Sequence, residues 1–149
     1  MECVFCDIVS GKAPCFKVWE DEKHLAFLSI YPNTEGVTVV ATKRHLPSYC
    51  FELDDSALSD LVLACKKVGL VLDSKLEGVG RTALVMEGFG VNHCHAKLYP
   101  LHQTKVKEWN AINSSVDKYF EEYEGYISSH NGKRESDEKL SKTAKKIRE

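Results

Sequence analysis

Three patterns in the 149-residue chain predict an α+β domain, a mostly antiparallel five-stranded sheet with helices on one side. Short runs rich in β-branched and aromatic residues, each closed by turn residues, mark strands. From Asp54 to about Lys75 the apolar residues recur at three-four spacing, the mark of an amphipathic helix. From Asn92 to Pro100 polar and apolar side chains alternate with the period of a strand.

In chain order, Phe16 to Trp19 and Leu25 to Ile30 are strands joined by the polar turn Glu20-Asp21-Glu22-Lys23. Tyr31 to Gly36 breaks the chain, and Val37 to Thr42, rich in valine and threonine, is a third strand that runs into Lys43-Arg44-His45 and the breaker Pro47. The helix carries Leu58, Leu61, Val62, Cys65, Val68 and Leu72 on one face, with Asp54 and Asp55 at the end where a carboxylate meets free N–H groups. Gly69 weakens its middle, and Gly78 with Gly80 ends it. Thr82 to Glu87 is the fourth strand, turned by a loop through Gly88 and Gly90 into the fifth at Asn92 to Pro100. Beyond Pro100 the composition shifts. Val116 to Tyr123 reads as helical, Gly125 to Ser129 as a short strand, and Asp137 to Arg148 as a closing helix with Leu140, Ala144 and Ile147 at helical spacing. From Lys133 onward seven Lys or Arg stand against four Asp or Glu, which fits a solvated face better than a nucleic-acid patch. The expected division is a domain over 1–103 with an extension over 104–149 packed on it.

A hydrophobic share of 43% suits one ordinary globular domain, and a net charge of −2 argues against nucleic acid or anionic membrane as main partner. No apolar run approaches the roughly 20 residues that span a bilayer, and Met1-Glu2-Cys3 does not open like a signal peptide. Six cysteines without an export signal are expected to stay thiols or metal ligands in the cytoplasm.

The chemistry concentrates in Asn92 to Pro100. Extended, this stretch points His93, His95, Lys97 and Tyr99 one way and Cys94, Ala96 and Leu98 the other, so one face carries imidazoles and an ammonium while the other packs a core. Gly88 and Gly90 just upstream are positions where backbone can approach a ligand closely. The plainer alternative is a surface strand edge. Cys3-Val4-Phe5-Cys6 has the spacing of half a tetrahedral zinc site; a redox dithiol and two buried cysteines are the competing readings. A further alternative lets His93 and His95 share one hydrolytic metal. His24, His102 and His130 are read as packing or surface residues.

Three segments together carry a family resemblance. Cys3-Val4-Phe5-Cys6-Asp7-Ile8-Val9-Ser10-Gly11, then Val18-Trp19-Glu20-Asp21 through Ala26-Phe27-Leu28, and Thr42-Lys43-Arg44-His45 followed by His93-x-His95, resemble the histidine triad superfamily of nucleotidyl hydrolases and transferases. The resemblance covers about the first hundred residues. It implies a HIT-like sheet-and-helix fold that dimerises, with a purine nucleotide such as AMP, or a nucleoside phosphoramidate, in a cleft above the sheet. It further implies a structural Zn²⁺ held by Cys3, Cys6, His45 and His93, and a nucleophile at His95 that forms a nucleotidyl-histidine. Nucleotide-binding positions carried over are Phe27, Ser29, Ile30, Glu87, Gly90 and Val91.

The chain also departs from the family pattern. Lys97 takes the place of the third histidine, keeping a cation beside the phosphate but supplying a poor general acid. Ser29 takes the place of the ribose-binding aspartate, and Phe89 and Gly90 that of the usual Gln and Ser or Thr. The expected function is therefore a nucleotidyl hydrolase or transferase acting through His95 and Lys97, the alternative being a nucleotide-binding module with little or no catalysis.

Overall fold

The computed structural model describes residues 2–149. The chain divides into two compact units, Met1–Glu108 and Trp109–Glu149.

In the first unit, helix α1 (Val4–Val9) precedes strands β1 (Lys17–Glu20), β2 (His24–Leu28) and β3 (Thr38–Thr42). A single 3₁₀ turn at Cys50–Glu52 leads into the long helix α2 (Asp55–Lys75), then β4 (Arg81–Val85) and β5 (His95–Leu101). The strands form one sheet in the order β1-β2-β3-β5-β4, every neighbouring pair antiparallel. Each strand expected in this unit is present within a residue or two of its bounds except at the start of β5. There His93 lies in a bend and pairing begins at His95.

Alternation along the strands sorts the side chains onto two faces. Ala26, Val40, Ala96 and Leu98 pack with Cys94 against Leu61, Ala64, Cys65, Val68 and Leu72 of α2. The intervening Leu25, Phe27, Val39 and Ala41 pack against Cys3 and Phe5 from the α1 segment. The helices therefore lie on both faces, contrary to the one-sided arrangement expected from sequence. Helix α2 starts where its carboxylates predict: the Asp54 side chain accepts from the Ala57 N–H at 2.8 Å. It runs through Gly69 without a break, because a single glycine costs only about 1 kcal/mol and the buried face outweighs it.

In the second unit, helix α3 (Asp137–Arg148) forms with the predicted bounds, Ser136 accepting from the Lys139 N–H at 3.3 Å. None of its residues is buried. The helix expected over 116–123 and the strand expected over 125–129 do not form. The Lys118 backbone is instead taken up by His130: the ring Nε2 lies 2.8 Å from the Lys118 carbonyl. The Lys118 ammonium pairs with Glu124 and lies 4.9 Å from the Phe120 ring centre, which meets Tyr126 edge-on. An eight-residue isolated helix is unstable in water, so these side-chain contacts win over the local periodicity.

Candidate active site and metal centre

Cys3, Cys6, His45 and His93 each bring one sulfur or ring nitrogen within 4.8 Å of the others. Cys3 Sγ and Cys6 Sγ lie 3.4 and 3.5 Å from His93 Nδ1, and Cys6 Sγ lies 3.3 Å from His45 Nδ1. Thiolate and imidazole ligands at about 2.3 and 2.0 Å from a tetrahedral ion stand roughly 3.5 Å apart, so the spacing fits a shared metal. The proton positions fit too. His93 Nε2 is 2.6 Å from the Thr42 carbonyl, which can only accept, so the proton sits on Nε2 and the Nδ1 lone pair is left to the metal. The CxxC half-site thus acquires its two histidines through tertiary contact. Among the described residues no other group of three or more potential ligands converges, and His95 is not part of this one. The shared His93/His95 metal is therefore corrected: the His93 ring turns to the cysteines.

His95 opens β5 and borders a cleft of about 470 Å³ on the α1 face of the sheet. Its register partner is Ala41, and Lys97 lies opposite Val39, itself opposite Phe27, so these side chains share the cleft floor. His95 Nδ1 donates to the carbonyl of His93 at 2.6 Å, leaving Nε2 unprotonated. Burial lowers the proton affinity of the His95 ring below the ordinary imidazole range, and the Lys97 ammonium pushes the same way. The His93 carbonyl opposes them without prevailing. A neutral imidazole with one nitrogen oriented and the other bearing a lone pair is chemically a nucleophile.

Of the other expected nucleotide-binding positions, Phe27, Ser29, Ile30, Gly90 and Val91 line the cleft with His95 and Lys97. Glu87 does not line it, and accepts from the Phe89 N–H at 3.2 Å. No carboxylate lines the cleft among the described residues, and no hydrogen bond or ion pair engages the Lys97 ammonium there, so the site favours an anion. Gly88 has a different role from the one its sequence suggests. Its φ is +73°, and an added Cβ would meet the Ser48 carbonyl oxygen at 2.8 Å. It is needed for packing, whereas Gly90 faces open space beside the cleft.

Sequence reasoning missed the wall of the cleft, which includes Val4, Phe5, Ile8 and Cys15. The i, i+3, i+4 spacing of Phe5, Ile8 and Val9 is a helical signal, but six residues are too few for periodicity to register.

The fold is shared with known proteins. A Zn-bound histidine triad family protein from Mycobacterium smegmatis has the same fold, with a TM-score of 0.65 and 25% identity over 70% of this chain and 78% of its own. The chain belongs to the HIT domain family, whose model matches residues 10–104. An adenosine 5′-monophosphoramidase of Schizosaccharomyces pombe is 35% identical over 104 residues, 67% of this chain and 74% of the relative. A HIT-like protein of Methanocaldococcus jannaschii is 32% identical over 133 residues, 83% of this chain and 99% of the relative. The family match begins at residue 10, so Cys3 and Cys6 lie outside it while His45 and His93 lie within.

Proposed function

We propose that the protein is a nucleotidyl hydrolase or transferase that cleaves a purine nucleoside phosphoramidate or related adenylate through His95. The observation that carries this reading is the 2.6 Å hydrogen bond from His95 Nδ1 to the His93 carbonyl at the edge of an anion-favouring cleft. Nε2 attacks the α-phosphorus, the amine or phosphate leaves, and water then releases the nucleotide from the nucleotidyl-histidine. Lys97 neutralises charge on the phosphate, and the backbone N–H groups of Gly90 and Val91 supply donors to its oxygens. Phe27 and Ile30 contact the nucleoside, and Ser29 replaces a carboxylate at the ribose. The similarity to a phosphoramidase supports the substrate class. Replacing His95 by alanine is expected to abolish AMP release from adenosine phosphoramidate without unfolding the protein; retained turnover rejects the reading.

The Cys3, Cys6, His45 and His93 set fits Zn²⁺ best, because two thiolates and two imidazoles with no open position make a closed structural site. Bound there, zinc supplies folding energy, not a reaction step. Leu84 and Leu101 are exposed on and beside the edge strand β4, and Leu63 and Leu70 on α2. These support a homodimer. Six free thiols fit a reducing compartment such as the cytoplasm.

Two residues favour a second reading, nucleotide binding without efficient turnover. Lys97 is a poor general acid, and Ser29 Oγ already accepts from the Tyr31 N–H at 3.2 Å. Calorimetric binding of AMP with product release at background would select it.

A further inference from the structure

Helix α1 is six residues long, too short to hold its position by its own hydrogen bonds. Phe5, between the two cysteines, is buried and meets three rings edge-on: Phe27 at 5.4 Å, His93 at 5.8 Å and His95 at 5.0 Å between ring centres. Its plane stands at 85° to that of His95. A second fixed contact of the His95 ring is the His93 carbonyl, which accepts the Nδ1 proton at 2.6 Å. Two constraints on the His95 ring therefore come from a residue flanked by metal-capable thiols and from a residue whose side chain completes the same set. His93 precedes the paired part of β5, in a bend. Without a ligand bond its carbonyl has less to fix it.

An imidazole has broad, two-fold freedom about its second side-chain torsion, and a half-turn would put Cδ2 in place of Nδ1 against the His93 carbonyl, leaving no partner to select the Nδ1–H tautomer. We propose that Phe5 is a positioning residue, and that the Cys3/Cys6/His45/His93 centre acts through Phe5 and the His93 carbonyl to hold the His95 ring in one orientation and one tautomer. For its catalytic meaning this rests on His95 being the nucleophile; the geometry does not.

The test is ¹⁵N NMR of the imidazole nitrogens in the full-length protein. With Zn²⁺ bound, the wild type shows His95 as the single Nδ1–H tautomer. Phe5→Leu, loaded with zinc to the same stoichiometry, shows signals averaged over two tautomers, with turnover reduced about 10–100-fold. Ile8→Ala, on the same helix and cleft wall but without an aromatic contact to His95, keeps the wild-type signals. Wild type stripped of zinc by a chelator shows the averaged signals, and readdition restores them, a comparison that needs no variant. A single unchanged tautomer in the zinc-free wild type or in zinc-loaded Phe5→Leu overturns the proposal, as does an equal shift in Ile8→Ala. Absence of turnover in every form, with these NMR changes present, rejects the catalytic reading and leaves the coupling standing.

Discussion

At the scale of single residues, the site is decided by which atom of each side chain is engaged. His93 and His95 are two apart, yet one ring turns to two thiols and the other to a backbone carbonyl. Alternation along a strand predicted both on one face; it says nothing of ring nitrogens. Lys97→Ala is expected to weaken AMP binding by roughly tenfold or more, the worth of a charge-assisted contact, read by calorimetry. Gly88→Ala should cost roughly 1–3 kcal/mol in urea unfolding, because a positive φ and the Ser48 carbonyl both resist a side chain. The cysteines divide in the same way. Burial pushes the Cys65 thiol up to about 12 and that of Cys94 up to about 11, so both are inert in the native state. Cys15 borders the cleft. Iodoacetamide at pH 8 is expected to label Cys15 in the folded protein, and Cys65 and Cys94 only after unfolding, as mass mapping would show.

At the scale of elements, legibility followed length and burial. The α2 periodicity extends over 21 residues and buries Leu61, Ala64, Cys65, Val68 and Leu72, so local pattern and tertiary packing agree. Helix α1 was illegible because six residues cannot display a period, and the 116–123 stretch was misread because its aromatic and lysine contacts override a weak local preference. Removing the α2 cap with Asp54→Ala is expected to lower stability by about 1 kcal/mol in urea titration. The β1–β2 turn carries a pH dependence. Burial raises the Asp21 carboxyl, but hydrogen bonds from the His24 ring and from the Lys23 and His24 N–H groups outweigh it, so the net shift is downward. A carboxyl lowered on folding stabilises the native state above its unfolded value, near 3.9, and that contribution is lost as pH falls through the folded value. The stability advantage of wild type over Asp21→Asn should therefore be full at pH 6 and shrink below pH 4. A difference independent of pH would rule out this role for Asp21.

At the scale of the whole molecule, the metal-capable group stands apart from the larger core. The α2 face of the sheet is closed by apolar side chains with no metal ligand among them, whereas Cys3 belongs to the cluster on the opposite face. Chelation is therefore expected to lower the melting temperature by on the order of 10 °C while leaving the far-ultraviolet dichroism of α2 and the sheet largely intact. Collapse of the whole spectrum would place the metal at the centre of folding instead. No helix among the described residues is long and apolar enough to cross a membrane.

The order of strands and the long helix, the Cys3/Cys6 half-site, and the histidine that opens β5 could be named from the amino-acid sequence, because each rests on local periodicity or on residue chemistry at short spacing, whereas His45 and His93 were offered as ligands only by the family resemblance. Three things needed the tertiary structure: the meeting of Cys3 and Cys6 with His45 and His93, the edge of Phe5 against His95, and the packing reason for Gly88. The Phe5 contact joins positions some ninety residues apart in sequence. Such encounters are set by how the two faces of the sheet are covered, and no pattern within a few neighbouring residues encodes that.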